Sequence, residues 1–198
     1  MNIAKIVQDV HDWHVRNYPT ETDSQSLLAI GEEMGELMRA ELKQAGNIRG
    51  TFEHWQTEKF KECGDVLIGL IEYAARTKTE GAFVECFEDL LENTVVHTFD
   101  NEALLQMAFA WIGHLMETYQ TKSIPANAIY NVAYWLGIYA TANQFNLEQV
   151  LEERWKTISQ RDFIANPETG GREKEDQEPT HKIHFISATL TGEGIANG

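Results

Sequence analysis

Glu33 and Glu36 are three residues apart in this sequence, and so are Glu62 and Asp65. On a helix that spacing puts both members of a pair on one face. Ala29 and Ala40 extend the first stripe, and small residues beside two carboxylates let a partner helix or a ligand come close. Glu32 lies beside this pair, across from an apolar face of Leu27, Ile30, Met34, Leu37 and Met38. The second pair sits on a segment that is apolar over most of its circumference, through Phe60, Cys63, Val66, Leu67, Leu70, Ile71 and Ala74. Such a helix is expected to be buried. Yet Glu58, Gly69 and Glu72 share a stripe with Glu62 and Asp65.

Carboxylates on a buried helix are costly unless paired or metal-bound. Four of them converging from two neighbouring helices cannot all stay ionised without a cation. Basic residues are in short supply, 16 Lys and Arg against 31 Asp and Glu. A hard divalent ion with oxygen ligands, magnesium or manganese, is therefore expected. A single acid pair is more often a solvated helix face; two pairs on consecutive helices, one of them strongly apolar, favour a site. Helical bundles that hold two irons carry Glu-x-x-His. This chain has Glu-x-x-Glu and Glu-x-x-Asp, which disfavours redox iron.

Helical periodicity dominates the elements that must position these acids. Ile3, Ile6, Val7, Val10, Trp13 and His14 mark a first helix, broken by Pro19 and the polar run 20–24. A second helix is expected from Leu27 to about Ala45, capped by Ser24 or Ser26 and stopped by Gly46. Asn47 to Thr57 reads as a loop, and a third helix as Glu58 to Arg76. Further helices are expected over 82–97, 102–120, 126–143 and 147–163. No alternating strand pattern precedes residue 180. From residue 166 the chain turns charged and poor in large apolar residues, as a flexible tail does. A short strand over Ile183 to Leu190 is the alternative to disorder there. The fold class is all-α, with one domain over 1–165 and a tail over 166–198.

The net charge of −15 supplies no basic stripe to meet nucleic-acid phosphates. A polyphosphate can still bind an acidic protein through a bridging divalent cation. Cys63 and Cys86 form no metal-type or disulfide pattern, and no stretch reaches the roughly 18 apolar residues of a membrane span. The expected setting is cytoplasmic, with no membrane partner.

The helix-period acids have a known counterpart. Glu32, Glu33 and Glu36, followed by Glu62 and Asp65, form E-E-x-x-E then E-x-x-D. With the flanks LLAIGEEMGELMRA and KECGDVLIGLIEYAA, this resembles the MazG-like, all-α NTP pyrophosphohydrolases, a superfamily that includes dimeric dUTPases and dCTP pyrophosphatases. NLEQVLEERWKTISQRD is similar to that family's closing helix. The likeness is good over 1–78, fair over 126–163 and poor over 80–125, which reads as an insert or a degenerate half-repeat. It implies a helical bundle around a four-helix catalytic core, a (d)NTP substrate, and magnesium-dependent release of diphosphate; it allows a homodimer. Carried over by motif position, Glu33, Glu36, Glu62 and Asp65 would ligate the metal, and Glu32 would either support those ligands from behind or orient water.

Apolar spacing also echoes between the two halves of the chain, so an internally duplicated pseudo-dimer is one reading. The positions echoing Glu62 and Asp65 fall near Ile129 and Val132, which predicts one acidic cluster per chain. Trp55 is a candidate to stack on a base, and Trp13 and His14 are candidates on the first helix, near where a base pocket would form. Lys59, Lys61, Arg154, Lys156 and Arg161 are candidate phosphate contacts, and Asn131 a candidate to face the site. Each has an ordinary structural explanation as well. His11 with His14, and His181 with His184, have ligand-like spacing, but zinc would need further ligands nearby. The competing functions are a non-catalytic helical module that binds a nucleotide or protein, and a di-metal oxidase.

Overall fold

Seven helices carry the chain in a computed structural model that describes residues 2–92, 98–121 and 126–166. They are α1 (Ile3–Asn17), α2 (Asp23–Ala45), α3 (Phe52–Arg76), α4 (Glu80–Glu92), α5 (Asn101–Gln120), α6 (Ala126–Ala142) and α7 (Leu147–Ser159). Among the described residues there is no strand. The tail, apart from Asn166, and its Ile183 to Leu190 segment lie outside the described residues.

Side-chain caps fix the helix starts. Asn2, Asp100 and Asn146 accept backbone N–H groups of Lys5, Ala103 and Gln149, opening α1, α5 and α7. Two starts differ from expectation. Helix α2 begins at Asp23, because Thr22 and Gln25 form a reciprocal capping box; Ser26 is buried inside the helix instead. Helix α3 begins at Phe52, capped by Thr51, so the expected loop to Thr57 shrinks to a turn. Burial of Trp55 drives that early start: its indole donates to the Ile48 carbonyl at 3.0 Å. Gly50 makes the turn passable, since its φ is +139° and a Cβ there would lie 2.8 Å from the Trp55 Nε1.

Three helices close through a left-handed residue that is not glycine. Asn47, Lys78 and Gln144 have φ of 50°, 59° and 61°. The following amides of Ile48, Thr79 and Phe145 return to the carbonyls of Lys43, Ala74 and Ala140, satisfying orphan helix-end carbonyls. Gly46, the expected stop of α2, remains right-handed.

Helix α3 is the axis of the molecule and packs against α1, α2, α4, α6 and α7. Helix α5 pairs with α6, and α2 lies against α5. One continuous apolar core runs through all seven helices. Ile129 and Val132, the residues echoing Glu62 and Asp65, are fully buried in it, so the later half supplies packing there rather than charge. No helix among the described residues is long and apolar enough to cross a membrane.

Gly64 lets α7 settle on α3. A Cβ at this position would stand 2.8 Å from the Arg154 Cβ and 3.2 Å from the Val150 carbonyl oxygen. Gly64→Ala gains about 1 kcal/mol of helix propensity but overpacks the contact, at about 1–3 kcal/mol. A net loss of stability in urea denaturation is expected, together with displacement of Arg154.

Candidate metal centre

Helices α2 and α3 bring three of the expected acids together. One carboxylate oxygen each of Glu33, Glu62 and Asp65 lies within 4.8 Å of the others. Among the described residues no other group of three or more potential ligands is gathered so closely. Glu33 is half-buried, whereas Glu62 and Asp65 on the central helix are 5% and 9% exposed. The three therefore sit between α2 and α3, with the two acids of α3 the more deeply buried.

Two cations flank the trio, both among the candidate phosphate contacts, although basic residues are scarce in the chain. The Arg154 guanidinium, delivered by α7 over Gly64, donates through Nε to Asp65 Oδ1. The Lys61 ammonium donates to Glu62 Oε1 at 3.1 Å. Glu33 has neither. Burial, and then the charges of Asp65 and Glu62, push its pKa up to about 7, with Arg154 only partly opposing. Burial also raises Glu62, against the pull of Lys61. A site that resists its own ionisation in this way lacks positive charge, and its donors are all hard oxygens. That fits a small divalent cation of the magnesium or manganese type.

Sign and window follow from Glu33. Its folded value of about 7 lies above an ordinary 4.5, so the native state holds the proton more tightly. Stability from this group is full below about pH 4.5 and is lost as pH rises through 7. Between pH 5 and 8 the metal-free protein should therefore lose stability, by on the order of 1–3 kcal/mol after discounting for partial exposure. Millimolar magnesium should restore it mainly above pH 7, where Glu33 is ionised. Thermal melts across that range, with and without magnesium, check both halves.

The other expected site residues are scattered. Glu36 turns from the trio to Arg39, with the guanidinium 2.5 Å away. Glu32 is exposed beside Glu33. Trp55 cannot offer an open face to a base: it is 8% exposed, it packs edge-on against His54, and Lys43 Nζ lies 5.3 Å from its ring centre. Lys59 cannot be a phosphate contact either. It is 1% exposed and bonded to Glu41, Gln44 and Asn143. Asn131 spends its amide on the Asn127 carbonyl of its own helix. The Arg161 carbonyl accepts the Trp13 indole N–H, tying the chain after α7 to α1. His14 faces Glu21 and Glu72, two turns along α3 from Asp65.

Sequence reasoning missed the buried network around Lys59. Glu41 Oε2 accepts from both Lys59 Nζ and Tyr139 Oη, while Asn101 donates to Asn143 and lies close to Glu41. The signal was legible: 59, 63, 66 and 70 form one helical stripe, and the other three are core residues. A lysine on such a stripe needs a buried acid.

Fold and site together define an all-helical protein with one gathered carboxylate trio among its described residues. No family model matches the chain, and no curated protein or solved structure matches it.

Proposed function

We propose that this protein is a magnesium-dependent nucleoside triphosphate pyrophosphohydrolase, converting a (d)NTP and water to a (d)NMP and diphosphate. The observation that carries the reading is the convergence of Glu33, Glu62 and Asp65 from two helices to within 4.8 Å. The resemblance of their sequence context to MazG-like enzymes supplies the reaction. Glu33, Glu62 and Asp65 hold the cation, and Glu36 joins them on leaving Arg39. A cation held there neutralises triphosphate charge and acidifies water. Lys61 and Arg154 stand beside the trio, where they meet phosphate oxygens directed away from the metal. Glu32, exposed next to Glu33, is the carboxylate left to orient water. The buried free thiols Cys63 and Cys86, both pushed up to about 12 by burial, suit a reducing cytosol.

A panel of ribo- and deoxyribonucleoside triphosphates, incubated with magnesium and assayed for diphosphate, tests this. Release from at least one is expected; a panel left intact with magnesium and with manganese refutes it. The Glu36–Arg39 pair favours one second reading, a non-catalytic helical module that binds a nucleotide or protein. Calorimetric nucleotide binding without any product would select that reading.

A further inference from the structure

A second cluster of titratable groups occupies the corner where the end of α1, the α1–α2 turn and the last turns of α3 meet. Helix α1 presents His11 and His14 three residues apart, and the turn brings Glu21 against His14. Helix α3 inserts Glu72 between the two imidazoles. His11 Nδ1 lies 3.4 Å from Glu72 Oε2, and His14 Nε2 lies 3.9 Å from Glu72 Oε1 and in contact with Glu21 Oε2.

Glu72 is 2% exposed, and its Oε1 has no hydrogen-bond partner among the described residues. Leaving such an oxygen unmatched is costly, so its place asks for a cation. Arg76 supplies part of that charge, as an ion pair with Oε1. Its Nη1 stays 3.6 Å from Oε1, while its Nε donates to Asp23 and its Nη2 to the Glu21 carbonyl. One guanidinium is thus shared between the carboxylates of Asp23 and Glu72, while the Glu21 carboxylate meets His14.

We propose that His11, His14, Glu21 and Glu72 form a second metal site, for a borderline transition-metal ion of the Zn2+ type. Two imidazole nitrogens with two carboxylates make a donor set that suits zinc better than magnesium, unlike the all-oxygen trio. Ligand atoms around a tetrahedral zinc stand about 3.4 Å apart, given bonds of about 2.1 Å. The His11 and His14 nitrogens lie 3.4 and 3.9 Å from the two different oxygens of Glu72, near that spacing. The four ligands now meet pairwise rather than around one point. Loading draws His14 and Glu21 apart and turns His11, whose ring is still one-third exposed, inward. Arg76 remains outside as a partner to the ligating carboxylates, the usual arrangement around a metal. The ion would clamp α1 and its following turn to α3. Without it the cluster sheds charge: burial pushes Glu72 up to about 8 and lowers His14 despite Glu21 beside it.

Zinc titration of the metal-free full chain against a chromophoric chelator tests this. With millimolar magnesium present to occupy the trio, one tight equivalent per chain is expected, weakened at least about 10-fold in both His14→Gln and Glu72→Gln and unchanged in Glu33→Gln. Absence of binding, indifference to both cluster variants, or loss in Glu33→Gln would overturn the proposal. Should Glu72→Gln fail to fold, His14→Gln alone decides. X-ray absorption of the zinc-loaded wild type gives an independent reading: imidazole scattering supports the site, and an all-oxygen shell refutes it.

Discussion

Glu33→Gln is expected to lower diphosphate release at least about 100-fold while leaving the helical circular dichroism intact. The lower bound follows because groups that merely support a metal ligand are worth 10- to 100-fold, and Glu33 is assigned as a ligand itself. This position separates function from folding better than the other two. Asp65 is bound to Arg154 and Glu62 to Lys61, so neutralising either strands a flanking cation. Glu33 has no such partner among the described residues, and its charge is resisted by burial and by two neighbouring acids. The amide should therefore stabilise the metal-free protein above pH 7, by roughly 1–2 kcal/mol once partial exposure is allowed for. It should also abolish the stabilisation by magnesium, which amounts to about 2.7 kcal/mol at a hundredfold excess over Kd. Denaturant melts and steady-state assays of the same preparation test the opposite signs. A Glu33→Gln protein with wild-type turnover removes Glu33 from the site.

Lys59→Met should destabilise the fold more than Gly64→Ala or any change within the trio, at about 3–5 kcal/mol. Methionine fills much of the space, but Glu41 is left as a buried acid without its cation. Total stabilities of domains run from about 5 to 15 kcal/mol, so this change alone takes a large fraction. Burial outweighs Glu41 in setting the Lys59 pKa, which is lowered. The pair is thus retained at a desolvation cost. Pairing Lys59→Met with Glu41→Leu should recover most of the loss, because a matched apolar pair of similar volume is neutral or better. Urea denaturation of the wild type and both variants tests this; a double variant no more stable than the single one would show that the network does more than balance charge. Surviving folded Lys59→Met should keep its turnover per molecule, since Lys59 faces the core and not the trio.

Much of this organisation was legible in the residues. The helix count and order followed from apolar periodicity, and the burial of α3 followed from its nearly continuous apolar circumference. Glu33, Glu62 and Asp65 were placed together by helical spacing and by the cost of leaving acids unpaired. Where expectation failed, either a tertiary contact or a competing local one had overridden the pattern. Helix α3 starts early because Trp55 is buried against the turn at Gly50, which no local propensity announces. Helix α2 ends on left-handed Asn47 although glycine precedes it. Arg154 reached Asp65 from 89 residues away, and only the clearance at Gly64 makes that approach possible. Glu36 shares a face with Glu33 as the spacing requires, but its ion pair with the exposed Arg39 decides where its carboxylate rests. The histidines of α1 lacked partners in the sequence because Glu72 comes from another helix.

Crystals grown metal-free and soaked in manganese, with data collected at the manganese absorption edge, address the shared cation most directly. An anomalous peak within bonding distance of Glu33, Glu62 and Asp65, absent from Glu33→Gln crystals, is the expected result. Three well-ordered carboxylates with no peak between them at millimolar manganese would contradict it.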